Sequence, residues 1–177
     1  MNSIACPDYF GVTIDNELIH MKAATISEIK KELKDRSPEE LMELCLRLAK
    51  FKKENKELLT YLLYESSDDD AYIEAVKSEI DLQFGGINTS NYYWMKKSIR
   101  KILRNTKKYI RYTQKKSIEI ELLIYFSSKM KAIQPPIYQN ATLKNIYERQ
   151  IMAINKTIST LEEDLQYDYN ILMGKLK

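Results

Sequence analysis

Hydrophobic and polar positions separate most cleanly over residues 92–116, YYWMKKSIRKILRNTKKYIRYTQKK. At a helical step of about 100° per residue, Met95, Ile99, Ile102, Leu103, Thr106, Tyr109, Ile110 and Thr113 fall on one side. Lys97, Arg100, Lys101, Arg104, Lys108, Arg111 and Lys115 fall on the other. The pattern predicts a long amphipathic helix with one face in a core and the other fully cationic.

The rest of the chain reads as further helices. Thr25 or Ser27 is a good N-cap for a helix running to about Asp35, with Ile26, Ile29 and Leu33 on its buried side. Ser37, Pro38 and Glu40 form a capping-box start, and Leu41, Leu44, Cys45, Leu48 and Ala49 then mark a buried stripe. Asn55 can stop that helix and cap the next, over residues 56–64, which is expected to bury Leu58, Leu59, Leu62 and Leu63. A fourth helix starts after Asp68 or Asp69, carries Tyr72, Ile73, Val76, Ile80 and Phe84 inward, and stops at Gly85-Gly86.

Asn91 caps the basic helix, and Ser117 is the expected cap of a sixth, with Ile118, Leu122, Tyr125 and Phe126 buried. Gln134-Pro135-Pro136 ends it. In the final stretch, Tyr147, Ile151, Ile154, Ile158, Leu161, Leu165 and Leu172 step by four and three. That near-heptad predicts one helix from 141 to 176 unless it breaks near Asn155 or Ser159, and it would also suit a homodimer. Asp168 sits where a heptad wants an apolar residue, which favours packing on the chain's own domain.

The expected fold class is therefore all-α, with about six or seven antiparallel helices in a helix-pair stack or an irregular bundle. No fixed repeat period supports the stack. Residues 1–24 show no period and read as an irregular N-terminal extension, with 25–177 as one helical domain. Met21 would itself serve as a start, leaving the first twenty residues outside the native protein. They lack the basic start and apolar run of a signal peptide.

Composition sharpens this. Four Gly and four Pro are few for an all-β fold or a loop-built active site. The net charge of +3 is mild, but its distribution is not. Residues 65–81 hold seven acids and one Lys, whereas residues 92–116 hold ten Lys or Arg and no acid. No apolar run approaches the roughly 18 to 20 residues of a membrane span, so no membrane partner is expected and a cytoplasmic site is the default.

Chemistry-bearing patterns are scarce. His20 is the one histidine and lies in the aperiodic start. Cys6 and Cys45 have no metal-ligand spacing, and Cys45 among leucines reads as a small buried residue. No phosphate-loop, dinucleotide or zinc-protease motif occurs. Asp68-Asp69-Asp70 lacks the spacing of a calcium loop and reads as a helix cap. No catalytic residue, metal or cofactor is expected, and the chain reads as a non-enzyme.

ISEIKKELKDRSPEELMELCLRLAKFKKENKELLTYLL, AYIEAVKSEIDLQF and MKKSIRKILRN together resemble a family of small all-helical bacterial proteins, a domain of unknown function. The likeness covers roughly half the chain and excludes the N-terminal extension and the C-terminal third. It implies an all-helical fold and a bacterial origin, and carries no catalytic residue.

Two functional expectations remain. Helices with thirteen tyrosines suit a scaffold that binds a protein partner through an exposed apolar or tyrosine-rich patch. Alternatively Lys97, Arg100, Lys101, Arg104, Lys108, Arg111 and Lys115 contact nucleic-acid phosphates while Trp94 and Tyr112 stack on bases. The second requires a positive surface that the acidic segment leaves uncovered.

Overall fold

The computed structural model describes residues 23–174 and 176. Among them the elements are all helical: α1 (Ile26–Lys34), α2 (Pro38–Phe51), α3 (Lys53–Thr60), a π-helical turn (Tyr61–Glu65), α4 (Asp69–Gly85), α5 (Tyr92–Thr113), α6 (Lys116–Ala132), a 3-10 turn (Ile137–Gln139), α7 (Ala141–Ile158) and α8 (Glu163–Gly174). The all-α class is as the pattern predicts, with one helix more than the upper count. Cys6, His20 and the expected irregular start lie outside the described residues, apart from Ala23 and Ala24.

Most helix starts follow their own residues. The Thr25 hydroxyl accepts from Glu28 N, while Glu28 Oε2 accepts from Thr25 N at 2.7 Å. Ser37 and Glu40 repeat this box: Glu40 N donates to Ser37 Oγ at 3.2 Å and Ser37 N to Glu40 Oε2 at 2.9 Å. Asp68, Asn91 and Asn140 cap α4, α5 and α7 with one bond each, their side-chain oxygens accepting from Ala71 N, Trp94 N and Leu143 N. Such a side-chain cap contributes about 1 kcal/mol by pairing an orphan N–H. The expected Ser117 cap does not form. Gln114 closes α5 at φ 54°, and α6 has begun by Lys116, before Ser117 could act.

The chain falls into two compact units that divide between Leu46 and Arg47, inside α2, where the sequence suggested one domain from residue 25. In the first unit the expected burial is overturned. Ile26 is 81% exposed, and Ile29, Leu33, Leu44 and Cys45 are exposed as well. On α2 as a whole, only Leu41 and Ala49 are half-buried and Leu48 is exposed. Period alone marks an apolar face; it does not supply the surface that covers it.

α3 is also turned from its expected phase. Leu58, Leu62 and Leu63 are exposed and Leu59 is half-buried, while Tyr61 is covered. Helix α3 starts earlier, at Lys53, so Asn55 does not cap it. The Asn55 amide instead donates to Leu48 O at the end of α2, at 2.9 Å. The π turn begins at the covered Tyr61, and Leu62 and Leu63 fall inside it, where the 3.6-residue period no longer holds.

The second unit is an irregular bundle centred on α6, not a stack of helix pairs. Apolar residues run right round α6, and each side feeds a different cluster. Phe126 and Met130 meet Met95, Ile99 and Ile102 of α5 and Leu143 and Tyr147 of α7. Ile118 and Leu122 meet Tyr61 and the α4 residues Tyr72, Ile73, Val76 and Ile80. Ile120 and Leu123 meet Ile154 and Ile158 of α7 and Met173 of α8. A fully buried side chain of this size contributes about 1.5–3 kcal/mol.

The C-terminal stretch breaks at Ser159, one of the two places its sequence offered, and forms two helices instead of one. α7 ends at Ile158, Ser159 caps it, and α8 restarts at Glu163. Tyr147, Ile154 and Ile158 are spent in the chain's own core, whereas Leu165 and Leu172 of α8 are exposed. The Tyr147 hydroxyl donates to Leu176 O at 3.0 Å, tying the end of the chain to α7. Burial pushes that phenol up to about 12, so it stays a donor.

Candidate functional site on helix α5

α5 positions its face as the pattern demands. Met95, Ile99, Ile102, Thr106 and Thr113 are buried, and Leu103, Tyr109 and Ile110 are half-buried. On the other side Lys97, Arg100, Lys101, Arg104 and Arg111 are exposed, and none forms an ion pair among the described residues. Lys107 is exposed with them, although it was not among the expected contacts. The signal for it was present: it lies three residues past Arg104 and four before Arg111.

These cations span about 21 Å of helix, from the 1.5 Å rise per residue. Lys97–Lys101, Arg100–Arg104 and Lys107–Arg111 are like-charge neighbours one turn apart. Each such pair costs a helix about 0.2–0.5 kcal/mol. No acid on α5 offsets it.

Two of the expected cations are spent internally. Lys108 Nζ lies 2.6 Å from Glu57 Oε2 on α3, with only 15% of its side chain exposed. Lys115 Nζ pairs with Asp69 at 2.7 Å, and that bond raises its pKa. Tyr112, expected to stack on bases, instead donates its hydroxyl to Glu57 Oε2 at 3.0 Å. The C-terminal half of α5 lies beneath α3 and the start of α4, whose acids claim these groups.

Trp94 stays accessible at 43% exposure, edge-to-face with exposed Tyr93 at 5.1 Å and with Lys97 Nζ 5.4 Å from its ring centre. The acidic segment otherwise turns away from this face. Asp81 pairs with Lys129 at 2.7 Å and accepts from the Tyr125 hydroxyl, and Glu74 pairs with Lys77. Asp68 caps α4, as its position suggested. Thus Lys97, Arg100, Lys101, Arg104, Lys107, Arg111 and Trp94 form one open face, while Lys108, Lys115 and Tyr112 do not belong to it.

The sequence did not reveal a second feature of the same unit, a cleft of about 490 Å³ between α3, the π turn, α4 and α5. Tyr61, Tyr72, Tyr109 and Tyr112 wall it, and Glu57, Glu65 and Glu79 stand around it. Tyr72 and Tyr109 each belong to a visible apolar stripe, but their convergence with Tyr61 depends on the π turn. Among the described residues, no group of three or more His, Cys, Asp or Glu is placed to hold a metal. Among the same residues, no helix is long and apolar enough to cross a membrane.

Compared with protein-family models, with curated proteins and with solved structures, the chain has no match.

Proposed function

We propose that the chain is a cytoplasmic, non-enzymatic helical interaction module that binds a protein partner on the apolar side of its first unit. One observation carries this reading: α1 and α2 have no buried residue, although Ile29 and Leu33 on α1, and Leu41, Leu44, Cys45 and Leu48 on α2, recur at helical spacing. Helices of nine and fourteen residues are marginal in water, where isolated helices below about 12–15 residues scarcely form. Packing of the amphipathic face supplies most helical stability in proteins, and a partner would supply it here. Exposed apolar surface concentrated in one place is a common mark of a protein contact.

The test places a photo-crosslinking residue at Leu44 in the intact chain and maps adducts in cells. One discrete adduct, lost when Ile29 and Leu33 are both replaced by Ser, is the expected result. A diffuse ladder, or an adduct indifferent to those changes, contradicts the reading.

A second reading is supported by the open cationic face, whose like-charge neighbours have no counter-ion among the described residues. On it, α5 binds nucleic-acid phosphates, with Trp94 and Tyr93 available for stacking. Binding to labelled DNA and RNA should then weaken log-linearly with salt, and Glu at Lys97, Arg100, Lys101 and Arg104 should abolish it. Absence of binding at low salt removes this reading.

A further inference from the structure

The tyrosine-walled cleft is built independently of both surfaces above. The Tyr61 and Tyr72 rings lie 4.7 Å apart, and Tyr109 and Tyr112 meet edge-to-face at 6.2 Å. Three of the four walls are pinned. The Tyr72 hydroxyl donates to Tyr109 O at 3.1 Å, the Tyr112 hydroxyl donates to Glu57, and Tyr61 is 97% covered, with 3% exposure. Yet the Tyr61 hydroxyl, which opens on the cleft, has no hydrogen-bond partner among the described residues, and neither does that of Tyr109. Neither hydroxyl is among the buried unpaired side-chain atoms, so both meet water in the free protein, and a ligand's donor can take that water's place.

The charges around the cleft are unevenly satisfied. Glu57 is matched by Lys108 and, at 3.5 Å, by Lys53, whose side chain is 89% exposed and stands in solvent. Among the described residues Glu79 accepts only from the neutral Gln83 amide, and the Glu65 carboxylate has no hydrogen-bond or ion-pair partner. Both are close enough to raise the Tyr109 phenol, although burial raises it more. Among the described residues Lys56 is a rim cation without an ion pair, and Lys115, held by Asp69, is also close enough to act on the Tyr61 phenol. Two carboxylates without a cationic partner among the described residues, beside tyrosine rings, make a site for positive charge. Lys108 Nζ, 4.8 Å from the Tyr109 ring centre, shows the same preference met from within the chain. The π turn that sets Tyr61 and Glu65 in place is a feature often found at functional sites.

We propose that this cleft binds an organic cation, an ammonium or guanidinium group on an aliphatic stem, with its head between Glu65, Glu79 and the Tyr61 hydroxyl and its stem against the tyrosine rings. The cleft is of the size that holds small ligands or one long side chain, roughly 300–1,000 Å³. The cation comes either from a free amine or from a basic residue of a peptide, and the same chemistry serves both.

The experiment titrates the full chain, followed by amide and tyrosine ring NMR shifts, with butylguanidinium, butylammonium, butyrate and a blocked arginine-containing hexapeptide. Saturable shifts at Tyr61, Tyr72 and Tyr109 with the two cations, and none with butyrate, are expected. E65Q/E79Q should weaken the cations about tenfold, and Y61F about threefold, with unfolding midpoints unchanged. Among the described residues neither glutamate is in an ion pair, so neither change removes a charge contact of the fold. Tighter binding of the hexapeptide assigns the cation to a partner chain, and equal or weaker binding assigns it to a free amine. Shifts that do not saturate, that persist unchanged in E65Q/E79Q, or that butyrate reproduces overturn the proposal.

Discussion

Lys108 Nζ and Glu57 Oε2 lie 2.6 Å apart across 51 residues of sequence, joining α5 to α3 where both side chains are largely covered. Burial works against the Glu57 carboxylate, but the hydrogen bonds from Lys108 and Tyr112 and the charges of Lys108 and Lys53 outweigh it and lower its pKa. A depressed folded pKa gives stability that is present above the unfolded value and lost as pH falls through the folded one. Glu57→Gln should therefore cost about 2 kcal/mol at neutral pH, within the range for hydrogen bonds to charged groups. Urea unfolding of both proteins from pH 7 downward should show that gap closing below the usual glutamate range. A gap constant with pH would assign the loss to packing instead.

The same pair divides the cations of α5 into two kinds. If the open face contacts phosphates, Lys101→Gln or Arg104→Gln should each lower the slope of log affinity against log salt by about 0.7–0.9. Lys108→Met should leave that slope unchanged and lower the unfolding midpoint instead. Equal slopes for all three variants would mean that no cation of this face meets a phosphate.

α5 was legible because its two faces differ in kind, and a 22-residue helix averages away local noise. The capping boxes at Thr25 and Ser37 were legible because they are made within four residues. α6 was harder to read: Ile118, Leu122 and Phe126 were visible, but Ile120, Leu123 and Met130 are buried too. A helix covered on several sides has no polar stripe to set its phase. Leu62 and Leu63 misled because they lie in the π turn, which breaks the 3.6-residue period that the stripe assumes. Of the expected contact face, Lys108, Lys115 and Tyr112 were lost to Glu57 and Asp69, acids distant in sequence. The cleft was invisible for the same reason: its tyrosines come from three elements.

The centre of the second unit should be the most costly place to disturb. Phe126 is fully buried on α6 against α5 and α7. Phe126→Ala should cost about 3–5 kcal/mol, measured by urea unfolding. Its neighbour Ser127 is also fully buried, and its hydroxyl has no partner among the described residues. Ser127→Ala removes a desolvated polar group and should stabilise by about 1 kcal/mol. A destabilisation by Ser127→Ala would show that its hydroxyl is paired in solution.

Cys45 gives a direct reading of the first unit. The leucines around it suggested burial, and the structure exposes it. Iodoacetamide added to the native chain should modify Cys45 at a rate close to that of a short unfolded peptide of the same sequence, with peptide mass spectrometry separating it from Cys6. A buried thiol would instead react only as fast as α2 opens. Adding the partner captured by the Leu44 crosslinker should slow Cys45 modification strongly and leave the unfolded control peptide unaffected. Rapid modification that the partner does not slow would place the partner contact elsewhere on the chain.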